Sequence, residues 1–141
     1  KKMKIAISLV VLVSFFTSCS TVEPTPIKLN TDNCDYCKMT IADLRFASEL
    51  ITEKGKVFKY DDLSCLKNYL SENPDLLNTR IYVSDFDAPE KFLDAKTAMF
   101  ASGEAVGSPM GGNLAAFAEK QSAENFAKAK NASVLIWNQL P

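Results

Sequence analysis

The chain has 141 residues, 47% of them hydrophobic, with 16 Lys and Arg against 17 Asp and Glu, four cysteines and no histidine. A net charge of −1 lacks the basic excess of nucleic-acid binders, so no nucleic-acid partner is expected. Without histidine no Ser-His-Asp set can be built, and no glycine-rich phosphate cradle is present.

Lys1, Lys2 and Lys4 precede an apolar run from Ile5 to Phe16, and the small residues Thr17 and Ser18 lead to Cys19. The run is shorter than the about 20 apolar residues a spanning helix needs. Charge, apolar run, small residues and cysteine stand in the order of a bacterial lipoprotein signal. Residues 1–18 are read as that signal segment, and Cys19 as the lipidated N-terminus that holds the chain on a bacterial membrane, facing the periplasm. An ordinary signal with a free Cys19, or an uncleaved anchor, is the alternative. Residues 19–33 carry Pro24 and Pro26 among Thr, Ser, Asn and Asp. With few apolar groups to bury they read as a flexible tether. Residues 34–141 make one soluble domain by length.

Within that domain, Phe46 to Thr52 reads as a strand, Lys54-Gly55 as a tight turn and Val57 to Tyr60 as the returning strand. Asp61 or Asp62 then caps a helix with Leu63, Leu66, Tyr69 and Leu70 on its apolar face, ended by Asn73-Pro74. Arg80 to Asp85 alternates as a strand. The second half repeats the order: a strand at Ala98 to Ala101, a glycine loop from Gly107 to Gly112, and a strand at Leu114 to Ala118. A helix at Ser122 to Lys130 and a strand at Ser133 to Trp137 close it. Tyr60, Leu66 and Tyr69 map onto Phe117, Ala123 and Phe126 at an offset of about 57 residues. The expected fold is therefore α+β, with two tandem ββαβ units.

With Cys19 assigned to lipid, Cys34, Cys37 and Cys65 remain. An odd number in an oxidising compartment leaves at least one thiol unpaired, which points to chemistry rather than stapling. Cys34-Asp-Tyr-Cys37 places two sulfurs within reach of one ion or of each other. Met39 lies two residues on, and in an extended segment shares a side with Cys37. A converging thiolate and thioether suit Cu(I), although Met39 also serves as a core filler. Met110, in the Gly107-Ser-Pro-Met110-Gly-Gly112 loop, is a further sulfur candidate or a hydrophobic plug. Cys65 reads as core before ligand, and Asp61, Asp62, Asp85 and Asp87 as caps and turn residues. Zinc is a rival: three cysteines and a carboxylate would be an unusual closed site. A thiol-disulfide oxidoreductase using Cys34 and Cys37 is a second, although that role wants the pair opening a helix after a buried strand.

Cys34-Asp-Tyr-Cys37-Lys-Met39-Thr-Ile41, the helix after Phe58, the Gly107-Ser-Pro-Met110-Gly loop and the Phe117 to Trp137 ending resemble the NosL family. These are copper-binding lipoproteins linked to nitrous oxide reductase assembly. The resemblance covers nearly all of the chain after the tether. It implies two ββαβ units, similar to those of organomercurial lyase. It implies a carrier rather than an enzyme, one that binds Cu(I) and feeds apo nitrous oxide reductase in the periplasm. It puts Cys37 and Met39 on the family's Cys-x-Met copper motif, Cys34 on its partner cysteine and Met110 on its loop methionine. Lys38 stands where many members have glycine. The histidine ligand of some members has no counterpart, which leaves the third ligand between Met110 and Cys34.

Overall fold

A computed structural model of the chain describes residues 22–141. The signal segment 1–18 and the lipidation at Cys19 lie outside the described residues. Strands β1 (Ser48–Ile51) and β2 (Val57–Tyr60) form a hairpin, with Gly55 at φ 80° in its turn. That backbone state costs glycine nothing. Asp62 caps helix α1 (Leu63–Glu72), its carboxylate accepting from the Ser64 N–H at 2.8 Å. Strands β3 (Arg80–Ser84), β4 (Phe92–Asp94), β5 (Met99–Ser102) and β6 (Leu114–Phe117), helix α2 (Lys120–Lys130) and strand β7 (Ser133–Ile136) follow.

One antiparallel sheet has the order β2-β1-β3-β4 and the other β6-β5-β7. Both units are thus ββαβ, as the repeat predicts, and in each the first strand is central. β4 is an addition on the first sheet, too short at three residues for alternation to reveal it. β5 begins 51 residues after β1, and β6 begins 57 after β2. The second unit therefore inserts six residues between its first two strands, and they form the glycine loop that carries Met110.

The main core joins both units. Leu50, Ile81 and Val83 of the first sheet, Leu63, Leu66 and Leu70 of α1, and Phe100, Leu114 and Ala116 of the second sheet form one cluster. The opposite side of the second sheet (Ala101, Ala115, Phe117) packs with Ala123 and Ala127 of α2. The second sheet is thus covered on both faces. That explains why β6 reads Leu-Ala-Ala-Phe without alternation and is buried throughout. Several expected strand ends shift: Phe46 belongs to a 3-10 turn, Leu44–Phe46, Trp137 opens another, Trp137–Gln139, and Asp85, Ala98 and Ala118 lie just outside their strands.

The free tether expected through residue 33 is corrected. Ile27 is buried with Ile41 and Ala47. The Arg80 guanidinium donates to the Val22 carbonyl at 2.9 Å, and Lys59 Nζ donates to the Pro26 carbonyl and to Asp32 Oδ2. Glu49, fully buried in mid-strand, accepts from the Thr25 N–H at 2.9 Å and the Thr25 hydroxyl at 3.1 Å. A buried carboxylate without such partners would be costly. The segment therefore completes the back of the first sheet, and the folded domain begins by residue 22. No helix among the described residues is long and apolar enough to cross a membrane.

Candidate metal centre

The segment before β1 folds into a tight turn. The Cys34 N–H donates to the Met39 carbonyl at 2.8 Å, and the Lys38 N–H to the Cys34 carbonyl at 3.0 Å. Lys38 sits at φ 66°, the left-handed region, and its ammonium donates to the Asp35 carbonyl. The turn is tied to β2 at one residue: the Asp35 N–H donates to the Lys59 carbonyl, and the Lys59 N–H to Asp35 Oδ2, both at 2.7 Å. Two residues past Lys59 the strand has ended and Asp61 arrives beside the turn. The first turn of α1 then delivers Cys65.

The sulfurs of Cys34, Cys37 and Cys65 and a carboxylate oxygen of Asp61 consequently all lie within 4.8 Å of one another. The Cys37 thiol donates to Asp61 Oδ1 at 3.7 Å. Cys34, Cys65 and Asp61 are buried, Cys37 is half-buried, and all three thiols are free. Burial pushes the Cys34 thiol up from its ordinary pKa, partly offset by the backbone N–H groups of Asp61, Cys37 and Tyr36 that face it. Burial, then the nearby Cys34 and Asp61, push Cys65 up as well.

Both thiols therefore keep their protons in the folded chain at a pH where free cysteine, near 8.5, would lose them. Above that pH the folded state holds more protons than the unfolded one, so stability falls as pH rises. The reduced, metal-free protein is expected to show a lower denaturant midpoint at about pH 10 than at about pH 7, and serine at both positions should flatten the decline. Any ion that binds must displace these protons.

Of the residues expected at a site, Cys34 and Cys37 are brought together. They lie on a turn, not at the start of a helix, which departs from the geometry an oxidoreductase pair wants. Met39 is 56% exposed and Met110 39% exposed, so neither fills the core. The loop of Met110 is fastened to Asp62: Ser108 Oγ donates to Asp62 Oδ2 at 2.6 Å and the Met110 N–H to the same oxygen at 2.9 Å. Cys65 is core, as read, but its sulfur also belongs to the cluster, and Asp61, in the bend before the Asp62 cap, adds a carboxylate oxygen to it. The signal for both was a cysteine in the first turn of an Asp-capped helix. Reading it required the non-local Asp35–Lys59 pairing. At the corresponding positions of the second unit, Ala118, Glu119 and Ser122 carry none of this chemistry. The repeat duplicates the scaffold and not the site.

Lys38 occupies a conformation that costs a side chain ~1–2 kcal/mol. Lys38→Gly relieves that and gives back part through unfolded-state entropy, ~0.5–1 kcal/mol. A net gain of about 0.5–1 kcal/mol is expected, read as a raised denaturant midpoint.

Fold and cluster together define a class: two-unit α+β domains that gather cysteines and a carboxylate within reach of one metal ion. Residues 26–141 match the NosL family model, and the chain belongs to the NosL family. It is similar to the copper-binding lipoprotein NosL of Stutzerimonas stutzeri, 29% identical over 147 residues that cover 94% of this chain and 77% of that protein. Its fold matches the crystal structure of the copper chaperone NosL from Shewanella denitrificans, with a TM-score of 0.73 at 22% identity, covering 84% of this chain and 96% of that one. Neither name describes an enzyme.

Proposed function

We propose that this chain is a copper carrier of the cell envelope. It binds one Cu(I) through Cys37 and Met39, with Cys34 or Met110 as a third sulfur donor. It hands the ion to an apo copper enzyme, and nitrous oxide reductase is the client that the family resemblance points to. The names of its two relatives support the metal. The observation that carries the reading is a half-buried thiol, Cys37, accompanied by two methionines held out of the core. At 56% and 39% exposure each methionine forfeits roughly half of the about 1.5–3 kcal/mol that full burial gives, and thioether with thiolate is the donor set that suits Cu(I). Two or three donors leave the ion open to attack by a recipient's ligand, which is what a carrier needs.

In the same reading residues 1–18 are removed and Cys19 is acylated, facing the periplasm. Because the folded part begins by Val22, the linking chain reaches at most about 10 Å. The domain then rides close to the membrane surface, not on a long tether.

Titration of the reduced protein with Cu(I) against a chromophoric chelator tests the function. One tight equivalent per chain is expected, weakened about 10-fold in Met39→Ala, and in Met110→Ala if Met110 is the third donor, in line with the loss of one weak soft donor. A wild-type protein that leaves all copper on the chelator would remove the copper reading.

A further inference from the structure

We infer that Cys34, Cys37, Cys65 and Asp61 also form a tetrahedral site for a divalent thiophilic cation of the zinc class. Three thiolates and one carboxylate oxygen make the four donors that such an ion takes in a closed site. Zinc–sulfur bonds of about 2.3 Å and zinc–oxygen bonds of about 2.0–2.2 Å set tetrahedral edges near 3.4–3.8 Å. The Cys37 sulfur and Asp61 Oδ1 already stand 3.7 Å apart. No pair of the four donor atoms exceeds 4.8 Å, so a contraction of at most about 1.4 Å closes the tetrahedron.

One further feature belongs to this ion more than to Cu(I), and a second suits any metal-bound thiolate. Asp61 is a hard oxygen donor, 3% exposed, for which Cu(I) has little use. The Cys34–Cys37 turn also aims successive backbone N–H groups, those of Tyr36 and Cys37, at the Cys34 sulfur. The left-handed Lys38 follows directly. Such an arrangement of amides cradles negative charge and recurs around metal-bound sulfur.

The site shares Cys34 and Cys37 with the copper reading but does not rest on it. Binding displaces up to three thiol protons into solvent. Sharing makes the two ions mutually exclusive, and Cu(I) releases the divalent ion by ligand exchange with no electron transferred. While it is held, the divalent ion occupies the three thiolates and keeps them from pairing as disulfides.

Cobalt(II) is the probe, added to the reduced, metal-free protein. One equivalent is expected, with tetrahedral d–d bands and the sulfur-to-metal charge-transfer intensity of three thiolates, both erased by one equivalent of Zn2+. Cys65→Ser should lose one thiolate's share of that intensity and weaken Zn2+ about 100-fold, one donor's part of a four-ligand site. An octahedral cobalt spectrum without charge transfer, or no uptake, overturns the inference on the wild-type protein alone, whatever the folding of the variant. So does an unchanged spectrum in Cys65→Ser. A chain that refuses Cu(I) yet gives the three-thiolate cobalt spectrum keeps this site and loses the copper reading; the reverse result does the opposite.

Discussion

Cys37→Ser is expected to cost the protein its tight copper equivalent, a loss of about 100- to 1,000-fold in affinity if one thiolate supplies roughly a third of a 10 kcal/mol site. The family resemblance puts Cys37 on a copper motif, and it is the most accessible of the three thiols. An incoming ion meets it before the buried Cys34 and Cys65. Serine offers a neutral, hard oxygen at neutral pH, which Cu(I) binds poorly. The replacement spares the fold: the side chain is half-buried, and a serine hydroxyl can still donate to Asp61 as the thiol does. A stability change below about 1 kcal/mol is therefore expected, so lost binding will not be mistaken for lost structure. Chelator competition beside a denaturation curve reads both. Stoichiometric tight binding in the folded variant would sink the assignment of Cys37.

The scaffold was more legible than the site, for reasons visible in single residues. The repeat of Tyr60, Leu66 and Tyr69 in Phe117, Ala123 and Phe126 is local periodicity, and it predicted both units. Gly55 announced a turn, and the pair Asp61 and Asp62 a cap, by backbone chemistry alone. The segment 22–33 was misread because its composition is polar. The warning lay elsewhere, in Glu49: a carboxylate inside Ser-Glu-Leu-Ile must either face solvent or find donors, and Thr25 supplies them. The sulfur pair Cys34 and Cys37 was legible because four residues hold it. Cys65 and Asp61 were not, since what joins them to that pair is the hydrogen bonding of Asp35 to Lys59, across 24 residues. Their local settings, a buried helical cysteine and an acid before a helix, are the commonest bland ones.

Asp62→Ala is expected to destabilise the protein by about 3–4 kcal/mol, the cost of a helix cap near 1 kcal/mol plus charge-assisted hydrogen bonds worth about 1.5–3 kcal/mol each, not fully additive. One side chain, 1% exposed, accepts from the Ser64 N–H, the Ser108 hydroxyl and the Met110 N–H. It is thus at once the cap of α1 and the anchor of the inserted loop. Alanine leaves those donors unmet where water has little access. Gly112→Ala should produce the same lesion from the other side. Its new Cβ would lie 2.3 Å from Asp62 Oδ1 and 3.0 Å from Ser64 Cβ, so the carboxylate must leave the cap or the loop must lift. Because the loop holds Met110 while the thiol cluster is held by β2 and α1, the copper affinity of Gly112→Ala should fall only as far as that of Met110→Ala. Denaturant midpoints at unchanged slope give the stability term, and Cu(I) competition the other. If Asp62→Ala stays within about 0.5 kcal/mol of the parent, the range of an ordinary surface change, then Asp62 is not the joint between the Met110 loop and the helix that delivers Cys65.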